Sequence, residues 1–464
     1  MQRIELPRFQ VLRDESYGTS EESSRVMTPR ESAEQSTTVG SVFGGVMNLS
    51  AAAVGVGIVA LPYAFSLLGI RGGIVSVCVM GALTGVTLRW LLECSLLTKK
   101  LTFEGNVKFL LGHMGYRFFS SNLVLLLFGG CVAMYLVSVS TMRAIWDSVL
   151  MDIVVASCAI GLSLVVIEDP GNRLGFTSSF AIACAGYICV LLGLQWWSRG
   201  DTEQLDKCAD PSAIINLRGF VSATCVFLNS FIMNFIFFEV VSNIPRGPML
   251  PVKVKRIVVI ALSLIILPLY IFIGVGGIYG LDNCGEVPSN IFASERWSIS
   301  PLLVGSGRVA LSLLNIFKSP LLMLPLCHTL FPDADENRRV QLCILFPFVI
   351  GASYLFGDIS QVLNWIGTTC GISLSFIVPS AMMYRLQDIE GEQADLAARI
   401  MTYHQSLPDT DPVTPSASRR AKKRSWKKFA CLFLIMCSVL YAVMGICVDL
   451  STYPETLATY FSVW

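Results

Sequence analysis

The chain has 464 residues, of which 53% are hydrophobic and 14% charged, with a formal net charge of +1. A soluble domain carries about 25% charged residues, so a water-soluble fold is excluded; long apolar runs without a formal charge recur throughout, the mark of a polytopic helical membrane protein. No basic stripe interleaved with aromatics points to nucleic acid, and a barrel is excluded because its strands alternate in segments of about ten residues.

Residues 1–40 are polar, rich in Ser, Glu and Arg, and lack an apolar core, as expected of a disordered cytoplasmic tail and not of a cleaved signal peptide. Eleven spans are predicted, at 41–68, 73–97, 118–142, 152–168, 174–197, 217–243, 257–280, 299–327, 340–357, 359–384 and 429–450. The short fourth span ends in Glu168-Asp169-Pro170-Gly171, a turn signal. The organisation expected is a tail (1–40), a transmembrane core of spans one to ten (41–384), a basic cytoplasmic linker (385–428), and span eleven with an outside C-terminus (429–464).

Orientation follows from the Lys/Arg asymmetry. One side holds Lys99, Lys100, Lys108, Arg117, Arg173, Arg246, Lys253, Lys255, Arg256, Arg338, Arg339 and the run "RRAKKRSWKK" from Arg419 to Lys428. The other holds only Arg71, Arg143, Arg199, Lys207, Arg218 and Arg296. The N-terminus is therefore expected inside and the C-terminus outside or lumenal, in a plasma membrane or an endosomal or vacuolar one. The basic run reads either as a contact for anionic lipid or as a positive-inside stop signal.

Most of the fifteen cysteines lie within apolar spans, where they act as small packing residues. Cys208 and Cys284 fall in two outer loops and are the expected disulfide pair. No CxxC or Cys/His cluster suggests a metal, and no cofactor is expected. The Asn48-Leu49-Ser50 sequon sits inside a span, so no N-glycan is expected.

Span one contains "NLSAAAVGVGIVALPYAF" (48–65). Glycine costs about 1 kcal/mol and proline about 3 kcal/mol against alanine in a helix, so the segment is predicted to break at Gly55–Gly57. A break at mid-membrane exposes amide N–H groups on one half and carbonyls on the other, which suit the carboxylate and the ammonium of an α-amino acid. The alternative is a tight helix crossing through Ala51 and Gly55, or Ala53 and Gly57. Span six, "FLNSFIMNFIFFEVVSNIP" (227–245), places Asn229, Ser230 and Asn234 among apolar residues and is a second candidate break. Breaks five spans apart are what an inverted repeat of five helices produces, with the site at the repeat interface.

Four stretches, in order, resemble the amino acid/auxin permease family, which includes the sodium-coupled neutral and the proton-coupled amino acid transporters. These are "GVGIVALPYAF" in span one, "LGFTSS" (174–179) in span five, "RVALSLLNIFKSPLLMLPL" (308–326) in span eight and "DISQVLNWIGTTCGISLSFIVPSAMMY" (358–384) in span ten. The resemblance covers about 41–450. It implies an all-α, leucine-transporter-type fold (APC superfamily) with a 5+5 inverted repeat, spans one and six broken, and alternating access. It also implies that the backbone of Val54, Gly55, Val56 and Gly57 receives the substrate carboxylate. Tyr135 and Asn234 are further candidate pocket residues, each also readable as packing or an interhelical bond. Arg308 resembles a family arginine near the outer vestibule.

Lys318 lies midway along span eight, where a charge costs about 2.5–3.5 kcal/mol on insertion scales. The family's sodium-coupled members place a hydroxyl residue near this point and an Asn in span one; here the corresponding positions are Ser319 beside the lysine, and Ala51. The expectation is that the Lys318 ammonium fills the sodium space and pairs with carbonyls near Ala53 and Val54. Burial disfavours a charged amine, so Lys318 is the candidate carrier of a coupling proton; a fixed structural cation is the other reading. Arg89 and Glu93, at i and i+4, read as a structural pair.

The function expected is secondary transport of a small amino acid across a lipid bilayer, sodium-independent or proton-linked. An amino-acid sensor signalling through residues 1–40 is the alternative. An enzyme is not expected: the three histidines, His113, His328 and His404, form no catalytic arrangement with Ser or Cys. Glu239, the one carboxylate near span six, lies toward the inner face, which leans toward neutral substrates.

Overall fold

The computed structural model describes residues 42–55, 57–168, 170–199, 217–244, 249–281, 287–293, 296–331, 338–355, 359–405 and 416–463. The tail at 1–40, Val56, and the candidate disulfide partners Cys208 and Cys284 lie outside the described residues. Every regular element among the described residues is helical. Among the described residues, nine helical stretches are long and apolar enough to cross a bilayer, and Val42–Ala53 and Arg339–Ser353 are shorter apolar helices.

Span one comprises α1 (Val42–Ala53) and the start of α2 (Gly57–Thr98). A straight helix of 42 residues would run about 63 Å, twice the hydrocarbon thickness of about 30 Å. The chain instead bends at Gly69, whose φ of 71° and ψ of 162° suit glycine. The Phe65 ring meets Gly73 across that bend, a pair about 12 Å apart along a straight helix, so α2 holds two passes. Gly112 (φ 72°) likewise divides α3 (Phe103–Arg143) into a short helix and span three. The short helix starts where Thr102 Oγ1 accepts from Gly105 N–H at 3.2 Å.

Spans four and five are α4 (Val149–Glu168) and α5 (Pro170–Arg199), and span six is α6 (Leu217–Ser230) followed by α7 (Asn234–Ser242). Span seven is α8 (Leu250–Ile260), a π segment (Ala261–Ile266) and α9 (Leu267–Leu281); span eight is α10 (Pro301–Leu330) and span nine α11 (Arg338–Ser353). Span ten runs through α12 (Ile359–Ile366), two π segments (Gly367–Gly371 and Ser373–Ile377) and α13 (Val378–Gln405), and span eleven is α14 (Ser416–Val463).

The packing pairs spans five apart. α3 lies against α10, and the second pass of α2 against α9, where Gly81 meets Leu267; α9 also takes Pro62 and Phe65 of span one on Gly277 and Gly274. α10 also receives α4 and α5, much as α3 receives α11 and span ten.

The polar stretch expected to be a linker is helical at both ends, because α13 runs to Gln405 and α14 starts at Ser416. Its basic run contains no Gly or Pro and is made largely of good helix formers. Within it Lys427 Nζ donates to Glu93 Oε2 of α2 at 2.7 Å and Lys428 pairs with Asp388 of α13. Beyond these clips, α14 exposes Phe429, Phe433, Met436 and Leu440, an apolar stripe fit for lipid.

Candidate functional site

Span one leaves its helix after Ala53 and resumes at Gly57. Val54 N–H donates to Ser50 O at 2.8 Å, and Ile58 N–H turns back to Gly55 O at 3.0 Å. The last carbonyls of α1 have no helical partner, and one is taken by a side chain: Lys318 Nζ, on α10, donates to Ala52 O at 2.7 Å. Lys318 is only 6% exposed, so this carbonyl is part of what offsets removing its charge from water.

Both glycines of the break are required by close approach. A Cβ on Gly55 would lie 2.3 Å from Lys318 Nζ, and one on Gly57 would lie 2.2 Å from Ser230 Oγ and 3.2 Å from Ser230 Cα. Ser230 ends α6, so the two interrupted spans touch at their interruptions.

Span six leaves its helix over Phe231, Ile232 and Met233 before α7 begins at Asn234. Phe231 N–H is shared between Phe227 O (3.1 Å) and Leu228 O (3.0 Å), and the Tyr270 hydroxyl donates to Ser230 O at 2.5 Å. The asparagines flanking the break both reach span ten. Asn229 Nδ2 donates to Leu363 O (2.6 Å) and to Cys225 O (2.9 Å) of its own helix; Asn234 Nδ2 donates to Ser375 O (3.0 Å) and Leu374 O (3.3 Å). π-type turns interrupt the regular carbonyl ladder, and these two side chains supply donors there.

Between the breaks lies a cavity of about 60 Å³, several times the 10–15 Å³ that a single water requires. Span one contributes Ala52, Ala53, Gly55 and Gly57, and span six Asn229, Ile232 and Phe235. Span three contributes Gly130, Ala133 and Met134, with Lys318 and Leu322 from span eight and Leu363 and Ile366 from span ten.

Of the candidate residues, the structure brings Gly55, Gly57 and Lys318 to this cavity. Val54, in the bend, and Ala51, near the end of α1, are buried beside it, and the lysine's carbonyl partner is that of Ala52, one residue before the expected pair. Asn234 is committed to span ten. Tyr135 lines a separate cavity of about 20 Å³ between α3, α4, α10 and α11, and its hydroxyl is directed at Asp152 O (3.4 Å).

Ser319 lines that second cavity too. Its hydroxyl donates to Ile316 O at 2.9 Å, the carbonyl that Pro320, having no N–H, leaves without its helical donor. Asn315 also faces this cavity, buried, with both amide ends lacking a partner among the described residues. Beside Tyr135, the buried Asp152 carboxylate is paired with Arg143 and accepts from the Tyr354 hydroxyl at 3.0 Å.

Arg308 ties two neighbours together, donating from Nε to Phe292 O (3.2 Å) and from Nη1 to Ala144 O (2.8 Å). Arg89 and Glu93 stand 3.8 Å apart, and Glu93 also holds Lys427. The residue that sequence reasoning underweighted is Asn229: its polarity in an apolar span is the signal, shared there with Asn234.

A family model described as "Transmembrane amino acid transporter protein" matches residues 38–402. The chain is 22% identical over 390 residues to "Amino acid transporter AVT6D" of Arabidopsis thaliana, covering 76% of this chain and 87% of that protein. It is 34% identical over 86 residues, 18% of each chain, to "Vacuolar amino acid transporter 2" of Saccharomyces cerevisiae. Among solved structures, the Eremococcus coleocola manganese transporter aligns with a TM-score of 0.47 at 13% identity, over 93% of this chain and 98% of that one.

Proposed function

Because the chain belongs to the transmembrane amino acid transporter protein family, we propose that it is a secondary transporter that carries amino acids by alternating access, independently of sodium and linked to protons through Lys318. It is an integral membrane protein and not an enzyme. The observation that carries this reading is the cavity at the paired breaks, with a buried ammonium on one wall and helix-end backbone on another. The lysine takes the place a sodium ion would need: its Nζ already holds a carbonyl released by span one. Proton loss from Nζ would free the Ala52 carbonyl and loosen α1 from α10, coupling protonation to the position of the first half-span.

The pairing of spans five apart supports the 5+5 repeat. Five is an odd number of passes, so a second set of five enters from the opposite face and is inverted by topology alone. With the tail inside, as the Lys/Arg asymmetry requires, α1 opens toward the cytoplasm and the first half of α2 toward the outside. The vacuolar relative favours an endosomal or vacuolar membrane over the plasma membrane.

Counterflow in proteoliposomes tests this. Uptake into vesicles preloaded with unlabelled amino acid should persist when sodium is replaced by choline and should rise with an inward proton gradient. Uptake that disappears without sodium would reject the coupling.

A further inference from the structure

We propose that this cavity selects neutral amino acids with an aliphatic side chain, and that Asn229 Oδ1 accepts the substrate's α-ammonium group. The proposal rests on the carrier reading above and assigns its substrate class.

The argument begins with the amide. Asn229 Nδ2 has two hydrogens, and Cys225 O and Leu363 O take them at 2.9 and 2.6 Å. Turning the amide over would set Oδ1 against two carbonyl oxygens, so the network fixes its orientation. Oδ1 is left on the opposite side of the amide, on a half-buried residue that lines the cavity. It accepts no bond among the described residues and is not sealed from solvent-sized space. It is thus an acceptor held in place by backbone, the arrangement that binds an ammonium at little entropic cost.

The opposite pole is supplied by Lys318. Its Nζ has three donors, of which Ala52 O takes one, and Gly57, which lines the same space, is the first residue of a helix, the end that favours an anion. A carboxylate is held there, and the ammonium on the same carbon is then directed to span six. The rest of the wall, where the side chain goes, is apolar and includes Gly130, Ala133, Leu322 and Ile366.

Among the described lining residues Lys318 is the one ionisable group. A cationic side chain finds no carboxylate, and a buried unpaired charge is strongly disfavoured. An acidic side chain would have to share the Lys318 ammonium with the α-carboxylate. A neutral aliphatic side chain leaves nothing unpaired.

The test uses the reconstituted full-length protein. Counterflow should be supported by alanine, valine or leucine and, with lysine, arginine, aspartate and glutamate, should fall to less than a tenth of that rate. Equal counterflow with any of those four overturns the substrate class while leaving the carrier reading intact; no counterflow with any amino acid overturns both. For the acceptor, L-alanine is compared with L-lactate, which replaces the ammonium by a hydroxyl, as competitors of uptake. A hydrogen bond to a charged group corresponds to about a tenfold to hundredfold preference, which Asn229→Leu should reduce at least fivefold. Asn229→Ser, which keeps a smaller acceptor, should fall between the two and gives the same ratio if Asn229→Leu fails to reach the membrane. A purely structural asparagine would weaken both competitors equally, and that result overturns the assignment.

Discussion

Lys318 and Gly57 both line one cavity and should fail in different ways. Lys318→Ala removes the one ammonium among the described lining residues, so residual uptake should lose its dependence on pH; a pH response like the wild type's would make the lysine a fixed structural cation. Gly57→Ala forces a methyl against Ser230 Oγ and Cα. Overpacking of this kind costs about 1–3 kcal/mol, visible as a lower melting temperature in detergent. Ser230→Ala in the same chain should recover part of that loss, since the two positions are in contact. Gly55, Gly57 and Lys318 were legible in the sequence because glycines and a lysine are anomalies within an apolar run. The choice between Asn229 and Asn234 was not. Three non-helical residues separate α6 from α7, so the 100° step that would assign each side chain a face is lost between them. Tyr135, read from the sequence either as a pocket residue or as a packed aromatic, lines the neighbouring cavity, and Met134 before it lines both.

Among the helices, α10 shows how a span tolerates what should break it. Pro320 removes a backbone donor, and Ser319 hands its hydroxyl to the carbonyl left behind. Ser319→Ala should therefore destabilise by about 1–3 kcal/mol, seen in thermal unfolding, with little change in the KM for the transported amino acid. Ion pairs should differ by burial. Asp152 is 4% exposed at its side chain and holds Arg143, whereas Arg89 is 66% exposed beside Glu93. Asp152→Ala should lower the melting temperature clearly, while Arg89→Ala should change stability by less than about 1 kcal/mol. Hydropathy located the spans well, since burial in lipid demands long apolar runs. It could not find the π segments of span ten: they have no distinctive composition and exist because side chains on span six supply their donors. The helical state of the basic stretch was missed because polarity was read as looseness, although its residues favour a helix.

At the level of the whole molecule, one cavity is bounded by both breaks, and the carrier proposed above requires that access to it alternate. A cysteine placed at Ala133, in a chain whose exposed native cysteines have been replaced, should react with a membrane-impermeant thiol reagent from either side, more slowly when substrate is present. Labelling from one side only, under every condition of substrate and pH, would contradict alternation. Span ten then takes on a mechanical meaning. Because the asparagines on both sides of the span-six interruption grip its backbone, any tilt of either half-helix has to drag that neighbour along or tear loose from it. A small molecule lodged behind the widened turns of span ten would accordingly jam the machine without competing for the amino acid at all.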